Sequence, residues 1–254
     1  MSQISLSPAR KAIVAGGTLL VLATWLYLVL LRPTNWESVA GSTEALITLV
    51  GYLSGAALLL AGTVPALPAR TIALIPVALV LNIVVGEIIG SIGIPLYLDS
   101  VGTVLVAALA GPIAGLATGT LSSVVWGLIN PAALPFAAVS AATGFLAGWA
   151  INRGAFTAWW KVVLSGAILG LISGMLAAPV AAFVYGGTAG LGTGALVSFF
   201  REAGHSLIAS VTLQSFASDP LDKAIVFLIV WAAIKALPQR TLASLRPQSL
   251  PLAR

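Results

Sequence analysis

The stretch SVGTVLVAALAGPIAGLATGTLSSVVWGLINPAALPFAAVSAATGFLAGWAIN, residues 100–152, runs 53 positions without one Asp, Glu, Lys or Arg. It is punctuated by Gly and Pro rather than by polar loops. A water-soluble domain could not keep its surface hydrated over so long an uncharged stretch. A bilayer core rewards it, because a charge there costs several kcal/mol. The stretch therefore predicts an integral membrane protein, all-α and polytopic, whose function is to be sought in the few polar groups near the membrane.

The rest of the chain agrees. It has 254 residues, 59% hydrophobic and 7% charged, with a mean hydropathy of +1.07, which leaves no room for a sizeable soluble domain. The apolar runs are continuous and do not alternate with period two, which argues against a β-barrel. The net charge is +5, but the basic residues sit singly at the ends of apolar runs. That is the pattern of topology signals and not of a nucleic-acid face. There is no Cys, hence no disulfide and no thiolate metal site. The first apolar run, Ala12–Leu31, follows Arg10 and Lys11 and imitates a signal peptide. At 20 residues it is long enough to span, and it reads as a retained helix.

Eight spans are expected, at 12–31, 45–64, 70–92, 100–111, 112–129, 134–151, 162–185 and 220–237. The run 100–111 covers only about 18 Å at the helical rise, so it tilts, extends into its neighbours or inserts halfway. Gly111-Pro112 separates it from the next helix, where Pro starts a helix well and continues one badly. With a cytoplasmic N-terminus, Arg10, Lys11, Arg70, Arg153, Lys161, Lys235, Arg240, Arg246 and Arg254 fall inside, and Arg32, Arg201 and Lys223 outside. The positive-inside rule favours this orientation, with both termini cytoplasmic. Trp149, Trp159 and Trp160 flank the inner loop 152–161 as interfacial aromatics do. All seven acidic residues, Glu37, Glu44, Glu87, Asp99, Glu202, Asp219 and Asp222, lie toward the outer half. The longest outer connection, 186–219, is apolar, and 195–212 within it is a candidate amphipathic or re-entrant helix.

Small residues recur every four positions at Gly111, Gly115 and Gly119, at Gly166, Gly170 and Gly174, and at Gly86/Gly90 and Gly144/Gly148. Such ridges let helix backbones approach closely. They serve packing within the chain or docking of another membrane subunit. The run Gly186–Gly194 is glycine-rich but lacks the Gly-Lys-Ser/Thr ending of a phosphate loop. Asp219-Pro220-Leu221-Asp222 reads as helix-start chemistry for the last span. Lys223 is then left opposing the helix dipole and needs a partner.

Asn82, Glu87, Asp99, Trp126 and Asn130 are polar or amphipathic groups near the outer membrane half. Glu87 stands out, with 16 uncharged residues before it and 11 after. An ionisable group inside a span points to function, against the plainer roles of pairing with Arg or Lys or reaching the headgroups. Arg201, Glu202 and His205 have one-turn spacing, which a solvated face also explains. His205 is the single histidine, so no multi-histidine metal site exists. No nucleophile–base–acid set converges in sequence. No catalytic residue, cofactor or metal is assigned.

The run Gly93-Ile94-Pro95-Leu96-Tyr97-Leu98-Asp99-Ser100-Val101-Gly102-Thr103, then Ala110-Gly111-Pro112, resembles the substrate-binding S components of energy-coupling factor transporters. So does Gly186-Gly187 followed by Ser218-Asp219-Pro220-Leu221-Asp222-Lys223. Together these cover about residues 70–240. The resemblance implies a six-helix membrane domain over 70–240, preceded by two additional helices in 1–69 and followed by a cytoplasmic tail, 241–254. It implies a plasma-membrane binding subunit for a vitamin or related micronutrient, working with a transmembrane T subunit and two cytoplasmic ATPases, and no nucleic acid. Substrate would be captured near the outer face and released inward when the subunit tips over in the bilayer. The family's Ala-x-x-x-Ala docking motif is matched only partly, by Ala73 with Val77.

Candidate substrate contacts are then Tyr97 and Trp126 for stacking, with Asn82, Glu87, Asp99, Asn130 and Lys223 for orientation. Asp99 is either a ligand contact or the cap of the helix after it. A ligand-sensing membrane subunit and an autonomous secondary transporter with Glu87 as proton carrier are the alternatives.

Overall fold

A computed structural model describes residues 6–33, 42–187 and 190–245. Glu37, Thr188, Ala189, Arg246 and Arg254 lie outside the described residues. Ten α-helices follow in order: α1 Pro8–Leu31, α2 Thr43–Thr63, α3 Ala69–Ser91, α4 Val101–Ala110, α5 Pro112–Gly127, α6 Ala137–Asn152, α7 Trp159–Val184, α8 Leu191–Glu202, α9 Leu207–Ala236 and α10 Gln239–Leu245. Short 3-10 turns at Val64–Ala66, Pro131–Phe136 and Ala155–Thr157 join some of them.

Among the described residues, five segments are long and apolar enough to cross a membrane: Pro8–Leu31, Thr43–Ala66, Ala69–Ser91, Pro131–Asn152 and Trp159–Val184. Their outer faces confirm the solvent. Leu19, Leu22, Leu26 and Leu30 on α1, Val77, Val80, Val84 and Ile88 on α3, and Leu164, Ile168, Leu171 and Met175 on α7 are all exposed. Three- and four-residue spacing puts each set on one stripe. Apolar stripes of that length belong against lipid and not water. At one end of the bundle Arg153 covers the Trp149 ring at 4.4 Å, Lys161 the Trp160 ring at 5.5 Å and Lys235 the Trp231 ring at 4.0 Å, as an aromatic belt requires.

The remaining expected spans are resolved differently. Helix α4 stays at 10 residues, well short of a bilayer. It survives because neighbouring helices enclose it: Val101, Gly102, Thr103, Val104, Val106, Ala107, Leu109 and Ala110 are all buried. Gly111, at φ 90°, and Pro112 turn the chain directly into α5. Helix α9 departs most from expectation. It opens at Leu207, capped by Ser206, and runs 30 residues to Ala236 with Pro220 inside it. Asp219, Pro220 and Asp222 are therefore mid-helix residues and not a cap. Pro220 removes one backbone N–H from the helix ladder, and the helix continues through it. The candidate helix over 195–212 is in fact the end of α8, a turn at 203–206 and the start of α9.

Glycine ridges join the helices in antiparallel pairs. A Cβ on Gly115 or Gly144 would strike the backbone of the other, and one on Gly119 would strike Ser140. These contacts close α5 on α6. On α7, a Cβ at Gly166 would lie 2.7 Å from the Cα of Ala224, one at Gly170 would strike the Asp219 carbonyl, and one at Gly174 would lie 2.8 Å from Asp219 Oδ2. These ridges are spent on packing within the chain. Helices α1 and α2 pair through Gly17, Gly55 and Gly62, then pack on α5, α6 and α7 through a shared core including Leu28, Tyr52, Leu59, Leu116, Val124, Ala137 and Val180. Trp25 Nε1 donates to the Leu176 carbonyl at 3.2 Å, and the Tyr52 hydroxyl to that of Pro135 at 3.3 Å.

Candidate functional site

A cavity of about 390 Å³ opens inside the bundle between α3, α5, α6, α7 and α9, at the end that carries the 92–100 segment and α8. Its walls mix aromatic rings (Tyr97, Trp126, Phe136), small residues (Gly86, Ala177, Ala181) and hydroxyls (Ser123, Ser140, Thr143, Ser173). Glu87, Asp99, Gln214, Asp219 and Lys223 supply the stronger polar groups. The size and the mixture of apolar wall with few polar groups suit a small organic ligand.

Two of the aromatics are fixed before any ligand arrives. Trp126 Nε1 donates to Glu87 Oε1 at 2.6 Å, and Asn130 Nδ2 donates to the same oxygen at 3.1 Å. Among the described residues Glu87 is thus paired with neither Arg nor Lys. Its carboxylate ties α3 to α5 and locks the indole over Gly86, where a Cβ would collide with the ring. Asn130 Oδ1 also accepts the Ala132 N–H at 3.2 Å and caps the following 3-10 turn. That turn carries Phe136, which stacks on Tyr185 with centroids 5.6 Å apart. Tyr97 is held at the other wall, where its hydroxyl donates to Thr193 Oγ1 of α8 at 3.0 Å.

The charged part of the site comes from α9. Ser210, Gln214, Ser218 and Asp222 recur every four residues, as do Ser215, Asp219 and Lys223, and all are buried. Two adjacent rows at that spacing form one polar face. Asp222 Oδ1 accepts the backbone N–H groups of Tyr97 at 2.8 Å and Leu98 at 2.7 Å, which pins a loop whose Leu98 sits at φ 49°. Its Oδ2 pairs with Lys223 Nζ at 2.6 Å. The ammonium also reaches Asp99 Oδ1 at 3.2 Å. The partner that Lys223 needs is therefore a pair of carboxylates, one from its own helix and one from 124 residues earlier in the chain.

The N-terminal position of α4 belongs to Ser100, which makes no side-chain cap bond. Asp99 faces Lys223 and does not cap. Asn82 is fully buried, with Nδ2 donating to Thr103 Oγ1 at 2.8 Å and Ser122 Oγ at 3.1 Å. Its Oδ1 accepts the Gly102 N–H at 2.7 Å. Asn82 does not line the cavity; it joins α3, α4 and α5 behind it. Glu87, Tyr97, Asp99, Trp126, Asn130 and Lys223 do line it.

Phe136, Gln214 and Asp219 also line the cavity, and none of the three stands out in sequence as a ligand contact. The four-residue polar periodicity of α9 was the signal for two of them. It was masked by the Asp-Pro pair, which reads as a helix start. Arg201, Glu202 and His205 are exposed at the end of α8 and do not line the cavity.

Comparison with models of protein families, with curated proteins and with solved structures finds no match to this chain.

Proposed function

We propose that the chain is the membrane-embedded substrate-binding subunit of an ATP-driven uptake transporter for a vitamin, vitamin precursor or similar micronutrient. The observation that carries this reading is the 390 Å³ cavity, with ordered aromatic walls and a buried polar helix face. A ligand site of that kind inside a lipid-facing bundle is built to hold a solute. The resemblance of 93–112 and 218–223 to S components of energy-coupling factor transporters supports it. In this reading α3–α7 and α9 are the six helices of the binding domain, α8 is an extra short helix between α7 and α9, and α1 and α2 are additions.

The cavity end faces outward in the prokaryotic plasma membrane, and both termini are cytoplasmic. Solute enters beside the 92–100 segment and α8, stacks against Trp126 or Tyr97 and is oriented by Asp99, Asn130 and Lys223. The chain has no Walker sequence, so a T subunit and two cytoplasmic ATPases supply the energy for inward release. The subunit performs no bond chemistry of its own.

Gentle purification from native membranes tests the proposal. Mass spectrometry is expected to find a stoichiometric small molecule together with a membrane subunit and two ATPases. Recovery with a signalling protein would make the chain a sensor. Recovery alone, with uptake activity in liposomes, would make it a secondary carrier. Either result overturns the proposal.

A further inference from the structure

The charges around the cavity do not balance. Asp99, Asp219 and Asp222 surround a single ammonium, that of Lys223. Its Nζ is committed to Asp222 at 2.6 Å and to Asp99 at 3.2 Å. Asp219 is left over. It is only 6% exposed, lines the cavity and stands one turn before Lys223 on the same helix face. Its Oδ1 accepts the Ser218 hydroxyl at 3.2 Å. Its Oδ2 lies over Gly174 and receives no hydrogen bond among the described residues. With Glu87 also on the cavity wall, four carboxylates against one ammonium leave an excess of negative charge around the cavity. Buried charge of one sign is strongly unfavourable unless a counter-charge joins it or a proton neutralises it.

We infer that the cavity takes an organic cation, its positive group beside Asp219 and Asp99 and its flat ring against Trp126. The inference rests on the binding role proposed above and names the charge class of the ligand. No group of three or more His, Cys, Asp or Glu among the described residues is arranged to hold a metal ion. The walls agree. Electron-rich ring faces attract cations, and the tie from Nε1 to Glu87 keeps the indole fixed as such a face. A neutral ring would leave the carboxylates uncompensated. An anion would add to the repulsion.

The full chain in lipid nanodiscs is titrated by calorimetry with three rings of similar size: N-methylquinolinium, 2-naphthol and 2-naphthoate. The cation is expected to bind at least tenfold more tightly than the neutral ring, and the anion weakest. Asp219→Asn, which copies the shape of a protonated carboxyl, is expected to weaken the cation at least tenfold, about 1.4 kcal/mol, and to leave 2-naphthol unchanged. Equal binding of cation and neutral ring, or unchanged cation affinity in Asp219→Asn, overturns the charge assignment and leaves the binding role standing. The wild-type comparison decides the matter even if that variant does not fold. If a folded chain binds no ring of any charge and carries no small molecule from the cell, the binding role fails, and this inference fails with it.

Discussion

Asp222 holds three partners with one side chain: two backbone N–H groups of the 97–98 loop and the Lys223 ammonium. Removing it takes the acceptor from the two N–H groups and leaves the ammonium with Asp99 alone. Asp222→Ala is therefore expected to destabilise the protein by roughly 3–5 kcal/mol, the cost of breaking a buried ion pair. Asp222→Asn keeps an acceptor for the two N–H groups and should lose clearly less. Thermal unfolding in detergent checks the order, and equal losses would show that the loop bonds contribute nothing. At this scale the sequence was legible in part. Glu87, Tyr97, Asp99, Trp126, Asn130 and Lys223 stand out as polar or amphipathic residues in an apolar chain, and they meet at one cavity. Asn82 stands out equally and is spent on Thr103, Ser122 and Gly102. Sequence shows which polar residues are costly in a membrane; only their neighbours show whether the compensation is a ligand or the protein itself.

At the scale of the elements, α7 and α9 meet through glycines whose added methyl groups would have nowhere to go. Gly170→Ala drives a Cβ into the Asp219 carbonyl and is expected to cost about 1–3 kcal/mol by overpacking. Gly16 on α1 is the internal contrast, because a Cβ there meets nothing within 4 Å. Gly16→Ala should be neutral or gain up to about 1 kcal/mol from helix propensity. Parallel melting curves of the two variants test the claim, and similar stabilities would mean that α7 and α9 can slide apart freely. The boundary at Gly111-Pro112 was legible because its signal is local. The start of α9 was not. Asp219-Pro220 carries every local mark of a beginning, yet packing against α7 carries the helix through it.

For the whole molecule, the paired contacts put Arg10, Arg70, Arg153, Lys161 and Lys235 at one end and the cavity at the other. The chain lacks Cys, so single cysteines report cleanly on orientation. Cysteine at exposed Ser91 should label with an impermeant maleimide in intact cells, and cysteine at exposed Thr157 only after lysis. The reverse pattern would invert the topology. Helices α1 and α2 contribute no residue to the cavity lining, yet Leu28, Tyr52 and Leu59 are wholly buried against the rest. A chain beginning at residue 66 is expected to keep its ligand affinity and lose several degrees of thermal stability; loss of affinity in a monodisperse, correctly inserted sample would place the pair in the site. Composition alone revealed a multi-helix membrane protein, but not that α4 hides inside it. The charged middle of α9 also bears on how the chain is made. Asp219, Asp222 and Lys223 would each oppose release into bilayer by about 2.5–3.5 kcal/mol if α9 arrived alone. Translation delivers Asp99, the 97–98 amides and the glycine groove of α7 first, so a receptor already waits in the membrane when the last long helix emerges. Insertion of α9 is thus a docking step, and any fault in the earlier helices would leave it stranded at the insertion machinery, exposed to proteolysis.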